Sequence, residues 1–299
     1  MVAQCHKKVK QFWYYGIGEV PASCGTLWAG FLKIIRSPLG CPAKWVKHWA
    51  ERTERKMAKL RIHPIPLFKM FDFKGRLTYM VDIAQPAEAC VYVWYIEGTK
   101  ERVLVDAGSS VEGLIRHGFR AEAISSLNDG LKRVGVSPEE VDLIICTHLH
   151  IDHIEFGHLY KNAKFIVQAA ELEGASNPHP AQAPQRLPKG TLEGLNFQVI
   201  KGDTQILDGI RVLFSPGHTK GGQSVVVDTE KGKVVISGLC TIRENFEPPA
   251  PLNKIMPVIP TGSSLDTRQS FDSLMRIKEE ADIIVPLHDC ESILRETIP

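Results

Sequence analysis

Three histidines and an aspartate fall within six residues in Thr147-His148-Leu149-His150-Ile151-Asp152-His153. Neutral imidazole and carboxylate are preferred ligands of Zn²⁺ and similar divalent ions. The segment Asp142 to Cys146 that leads into them reads as a short buried strand. In an extended His-x-His, side-chain alternation turns both rings to the same side. The following turn can then present Asp152 and His153 to a second ion. A single histidine in a polar loop is usually just that, but four ligand-type side chains at one strand end point to a metal site.

Further groups of the same chemistry stand at other strand ends. His218 lies in Pro216-Gly217-His218-Thr219, just after the strand-like run Ile210 to Phe214, where it suits a third ligand of the first ion. His288 follows the apolar run Ile283 to Val285, and Asp106 follows Arg102 to Val105 ahead of Gly108. Polar groups gathered at the ends of apolar strands are how a layered fold assembles a site.

The elements that position them follow from periodicity. Val91 to Ile96 and Arg102 to Val105 are β-branched and aromatic runs about Glu97-Gly98-Thr99-Lys100, a hairpin pattern. Ala121 to Val134 predicts a helix, with Ile124, Leu127, Leu131 and Val134 three to four apart. Phe197 to Ile200, Ile210 to Phe214, Ser224 to Val227 and Lys233 to Ile236 predict strands, Asp266 to Glu280 an amphipathic helix, and Ile283 to Val285 a last buried strand. Pro178, Pro180, Pro184 and Pro188 make Ser176 to Gly190 a loop. Strands then a helix, twice over, suggests two packed sheets with helices outside.

Composition bounds the rest. The chain has 299 residues, 43% apolar and 23% charged, which suits a globular fold and argues against disorder. No apolar run approaches the ~20 residues of a membrane span, and no signal peptide is read. Seven cysteines, an odd number without paired spacing, argue against a disulfide framework and for a reducing cytoplasm. Residues 1 to 60 hold eleven Lys and Arg against three Glu, a surplus of eight. The remainder then carries minus six of the chain's net +2. This basic segment has Trp13, Trp28, Trp45 and Trp49 and reads as an extension ending in a helix, Lys44 to Leu60. Its aromatics must pack on the main domain (61–299) or on a second subunit of a homodimer. A nucleic-acid partner is not expected, because the body around the site is net acidic.

The motifs Val103-Leu-Val-Asp106-Ala-Gly108, His148-x-His150-x-Asp152-His153, Gly217-His218 and Leu287-His288 resemble, in order and spacing, those of the metallo-β-lactamase superfamily. Lys132-Arg133-Val134-Gly135, Ser215-Pro-Gly-His218-Thr and Glu244-Asn-Phe246 are most similar to its N-acyl homoserine lactonase group. The resemblance implies an α/β fold, the αββα sandwich, and one or two divalent ions, zinc by preference. It implies His148, His150 and His218 on the first ion, Asp152, His153 and His288 on the second, and Asp106 orienting a ligand from behind. The implied reaction is hydrolysis of a small-molecule carbonyl substrate, a lactone or ester. A bound ion lowers its water's pKa to ~7, the hydroxide attacks the carbonyl, and Asp152 orients it and passes a proton. Thioesterase, phosphodiesterase and β-lactamase activities are alternatives within the superfamily, as is a metal-binding protein without turnover.

The fourth motif departs from the lactonase pattern. Where that group has a bridging aspartate, this chain reads Val235-Ile-Ser-Gly-Leu-Cys240-Thr-Ile, with no carboxylate before Glu244. One branch of β-lactamases binds the second metal through a cysteine after this strand. Cys240 is therefore either a seventh ligand or a buried structural thiol.

Overall fold

The computed structural model describes residues 60–298 apart from 181 and 183–186. The basic extension, with its predicted helix Lys44 to Leu60, lies outside the described residues but for Leu60. Twelve strands are described: β1 (Arg61–Phe73), β2 (Pro86–Glu97), β3 (Val103–Val105), β4 (Arg120–Ala123), β5 (Leu143–Ile145), β6 (Lys164–Gln168), β7 (Asn196–Ile200), β8 (Thr204–Leu207), β9 (Ile210–Phe214), β10 (Gln223–Thr229), β11 (Gly232–Ile236) and β12 (Ile283–Val285). They form a seven-stranded sheet in the order β4-β1-β2-β3-β5-β6-β7 and a five-stranded sheet in the order β12-β11-β10-β9-β8.

The alternation of side chains along each strand explains the layering. Val103 and Val105 on β3, Val225 and Val227 on β10, and Val234 and Ile236 on β11 share one buried cluster between the sheets, with Tyr92 and Trp94. Their in-between neighbours face the other way. Leu104, Ile144 and Phe165 join Leu114, Leu127, Leu131 and Ile154 beneath one set of helices. Val226 and Val235 pack with Leu274 and Ile277 of the helix Thr267–Glu280. Both faces of each central strand are therefore dry, which is why these runs are apolar throughout instead of alternating. The result is an αββα sandwich.

Two local readings differ from the structure. The segment 121–134 is not one helix: residues 120–123 form β4, antiparallel to β1 from Phe68 to Phe71, and the helix covers Leu127–Arg133. Ser126 starts that helix, its hydroxyl accepting the Asp129 N–H at 3.1 Å. Ile124 mimicked a further helical turn only because it fell on the same spacing. Gly130 lets this helix meet β1 closely, since a Cβ there would lie 2.1 Å from Ile65 Cγ2. The second correction concerns cysteine. Cys90 and Cys290 form a disulfide with Cα atoms 5.2 Å apart, although they stand 200 residues apart in sequence. Local spacing carries no trace of such a pair, because the fold alone brings β2 against the turn after β12. Among the described residues, no helix is long and apolar enough to cross a membrane.

Trp94 is fully buried between the sheets, and its indole N–H has no hydrogen-bond partner. Its contribution is therefore packing. Trp94→Ala should cost about 3–5 kcal/mol. Trp94→Phe, which keeps most of the volume and loses no bond, should cost clearly less in chemical denaturation of the full chain.

Candidate metal centre

β3, β5 and β6 run parallel. In the other sheet β9 and β11 are both antiparallel to β10, and β12 is parallel to β11, so β9, β11 and β12 share a direction. Asp106 follows β3, His148 follows β5, His218 follows β9, Cys240 follows β11 and His288 follows β12. The site is thus assembled at carboxyl ends of strands, where the chain leaves the ladders and side chains are free to converge.

Two groups of side chains that could each hold a metal ion result. The ligand atoms of His148, His150 and His218 all lie within 4.8 Å of one another, and so do those of Asp152, His153 and His288. Backbone and hydroxyl partners fix which ring nitrogen is offered. A carbonyl can only accept, so His218 Nδ1 donates to Ser263 O and His288 Nδ1 donates to Cys90 O. Thr147 Oγ1 donates to Asp106 Oδ2 at 2.8 Å and is thereby left to accept from His148 Nδ1 at 3.2 Å. In each of these rings Nε2 keeps its lone pair for the site. His153 is held in the same way, Nδ1 being 2.8 Å from Asp106 Oδ2.

A divalent ion fits this donor set on two observations. His218 Nε2 and His150 Nδ1 stand 3.1 Å apart with no carboxylate between them. Two nitrogens on one tetrahedral zinc, each at ~2.0–2.1 Å, would be about 3.3 Å apart. His153 Nε2 is 3.0 Å from Asp152 Oδ2, yet it is buried without an aligned hydrogen bond. The nitrogen and the oxygen are placed as neighbouring ligands, and not as donor and acceptor.

Electrostatics agree. Burial pushes the His148 and His218 rings well below the usual imidazole range, and those of His150 and His288 down to about 4, so all four are neutral at pH 7. Burial alone would depress His153 too, but the Asp152 and Asp106 carboxylates outweigh it and lift that ring to about 10. Burial disfavours the Asp152 carboxylate, yet His153, His288 and His150 hold its pKa well below the usual range. A buried carboxylate of this kind needs a positive neighbour, and a bound dication can replace the proton of His153 in that role.

Cys240 is not part of either mutual set. It lines the same cavity, and its thiol is pushed up to about 12 by burial and by Asp152, against a hydrogen bond with Ser263. The cavity measures about 720 Å³, within the range of small-molecule sites. His148, His150, His218, His288 and Asp152 line it together with apolar side chains such as Met70, Leu77, Leu114 and Phe119 and with the charged Arg76 and Lys220.

Glu171 is a functional residue that the sequence reading missed. It is buried on the helix Ala169–Ser176 and accepts the Leu149 N–H at 2.8 Å and the Gly221 N–H at 3.0 Å. Leu149 lies between two ligands of the first set, and Gly221 lies three residues beyond the third. One carboxylate therefore ties both ligand loops together. Gly217, at φ +129°, completes the fit, because a Cβ there would lie 2.3 Å from Ser270 N. Glu171→Ala should lower metal affinity about 10–100-fold without removing any ligand, and Glu171→Gln, which keeps one acceptor, should lose less. Competition with a chelator checks both.

The residues 91–288 match the profile of the metallo-beta-lactamase superfamily. An N-acyl homoserine lactonase of Bacillus sp is 32% identical over 219 residues, which is 67% of this chain and 82% of that protein. The crystal structure of a quorum-quenching N-acyl homoserine lactone lactonase is similar at 26% identity with a TM-score of 0.65, covering 79% of this chain and 95% of that one. A further structure, of an N-acyl homoserine lactone hydrolase with the product N-hexanoyl-L-homoserine at its catalytic metal centre, shows 26% identity and a TM-score of 0.65, covering 80% and 96%. With the two ligand sets at the strand ends of an αββα sandwich, these findings make the chain a member of the metallo-β-lactamase superfamily and a metal-dependent hydrolase.

Proposed function

We propose that the chain hydrolyses a lactone or ester carrying an apolar acyl group, using one or two zinc ions. The observation that carries this reading is that members of both ligand sets share one cavity with a group of apolar side chains, alongside the charged Asp72, Arg76, Lys220 and Asp266. The polar floor suits a carbonyl, and Met70, Leu77, Leu114 and Phe119 suit the hydrocarbon beside it. The lactonases to which the chain is similar support the same substrate class.

The residues act as follows. His148, His150 and His218 would hold the first ion, and Asp152, His153 and His288 the second. A divalent ion bound there supplies Lewis acidity and a water acidified toward neutral pH. Asp106 fixes the His153 ring through its Nδ1. Asp152 is ionised at neutral pH and faces the cavity, so it orients the attacking water by hydrogen bond and carries its proton to the leaving oxygen. Cys240 stands on the cavity wall within the field of Asp152, and its sulfur would add a ligand to a second ion once deprotonated.

Two measurements test the reading. Elemental analysis should find at least one zinc per chain, and a panel of lactones, esters, thioesters, phosphodiesters and β-lactams should show lactones or esters turned over best. His148→Ala/His150→Ala should empty the first set and cut kcat/KM by at least about a hundredfold. Full metal and activity in that variant, or preference for another member of the panel, would refute it. Cys240→Ser should shift metal content toward one ion per chain while leaving the first ion in place. An unchanged content would assign the thiol to the wall alone.

A further inference from the structure

Resting on the two-set metal reading, we propose that the Cys90–Cys290 disulfide is a redox clasp that positions His288. Opening it weakens the second ligand set and spares the first.

His288 lies beyond the ladder of its own strand, since β12 ends at Val285. What holds it is a small group of contacts. The Cys90 N–H donates to His288 O at 2.8 Å, and His288 Nδ1 donates back to Cys90 O at 3.0 Å. The same Cys90 is bonded through sulfur to Cys290, two residues after His288 and the first residue of the turn Cys290–Leu294. Backbone, ring and covalent link thus all run from one residue of β2 to the segment that carries the ligand. Other supports of the segment are the His288 N–H to Thr241 O, at 2.9 Å, the Leu287 N–H to Thr241 Oγ1, at 3.0 Å, Tyr92 Oη to Asp289 O, at 2.8 Å, and the Arg243 N–H to Asp289 Oδ2, at 2.7 Å.

The first set has separate supports. Its rings and loops are held by Thr147, Ser263 and Glu171. Among the described residues, the hydrogen bonds of these three involve neither Cys90 nor Cys290. The two sets therefore differ in what opening the disulfide removes.

The chemistry of opening is a two-electron reduction. A dithiol or a tertiary phosphine breaks the S–S bond, and each sulfur takes a proton. With a phosphine, water supplies the oxygen of the phosphine oxide. Two unbonded sulfurs need more room than a bonded pair, and Cys90 is fully buried, so the turn after His288 is the side that gives way. The ring then loses the fixed Nδ1 acceptor that sets its orientation, and loss of such a partner typically costs a metal site about 10–100-fold in affinity.

The test uses the full chain and zinc itself, titrated against a chromogenic chelator. Three samples are compared: air-oxidised protein, the same protein after a tertiary phosphine (dithiols bind zinc themselves), and Cys90→Ser/Cys290→Ser. Opening by either route should weaken the second zinc equivalent at least about tenfold and leave the first unchanged. Cobalt(II) spectra should show the same selective loss, and reoxidation should restore the wild type but not the variant. If the variant fails to fold, the phosphine-treated wild type gives the same comparison. Equal affinity for the second equivalent in open and closed protein would overturn the proposal. So would simultaneous loss of both equivalents, which marks a general structural role, or peptide mapping that finds Cys90 and Cys290 unlinked after air oxidation. A wild type that binds one equivalent only removes the clasp's target but leaves the hydrolase reading standing. One that binds none removes both.

Discussion

The carboxylate of Asp106 has no exposed surface, yet it is ionisable and sits between two strand ends. It accepts the Thr147 N–H at 2.7 Å and the Thr147 hydroxyl at 2.8 Å, and it meets His153 Nδ1 at 2.8 Å. Burying such a group unpaired would cost several kcal/mol. All of its partners must therefore be in place together, and they reach the end of β3 from the end of β5 and from the turn after it. The backbone of Asp106 adopts φ +62°, a left-handed conformation that Asp tolerates better than most residues. The strain is small beside what the arrangement accomplishes. It bends the chain at the end of β3 so that one side chain can lock the helix-borne ligand and the strand-borne one into a single geometry.

From that constraint the rest follows outward. Ala107 and Gly108 donate to the carbonyl of His153, so the loop after β3 and the turn carrying Asp152 move as one body. Glu171 does for the first ligand set what Asp106 does for the second, though it joins loops of two different sheets. In both cases a buried acid is hydrogen-bonded by backbone N–H groups or imidazole, and the geometry of the surrounding loops is a by-product of satisfying the acid. The apolar layers beneath have the simpler task of holding the strand ends at a constant separation.

The His148–His153 cluster was legible because its chemistry is contained in six residues at the end of one strand. His218, His288 and Asp106 were legible because each follows an apolar run directly. Glu171 was not, since its partners lie 22 and 50 residues away and nothing in Gln168-Ala-Ala-Glu171 announces them. The disulfide was hidden for the same reason, its halves meeting only when β2 and the segment after β12 come together. β1 escaped notice because Pro64 and Pro66 break its strand pattern. The structure accepts them where β4 does not pair, its ladder covering only Phe68 to Phe71. Ile124 misled in the opposite direction, by continuing a helical spacing past the serine that caps the helix. Sequence pattern reveals groups that are near in the chain, and what it missed are groups that only tertiary contact brings near.

The ligands of the first set are drawn from both sheets, His148 and His150 from one and His218 from the other, with Glu171 spanning the gap. No unfolded or half-folded chain can present that triad, because His150 and His218 stand 68 positions apart in sequence and on different sheets. An ion held by it therefore reports the docking of the two halves. By mass action it also adds to the stability of that docked state in proportion to the logarithm of its free concentration. A cation held there would be a fastener across the sandwich, and the supply of metal in the surroundings would set how far the docked form is favoured.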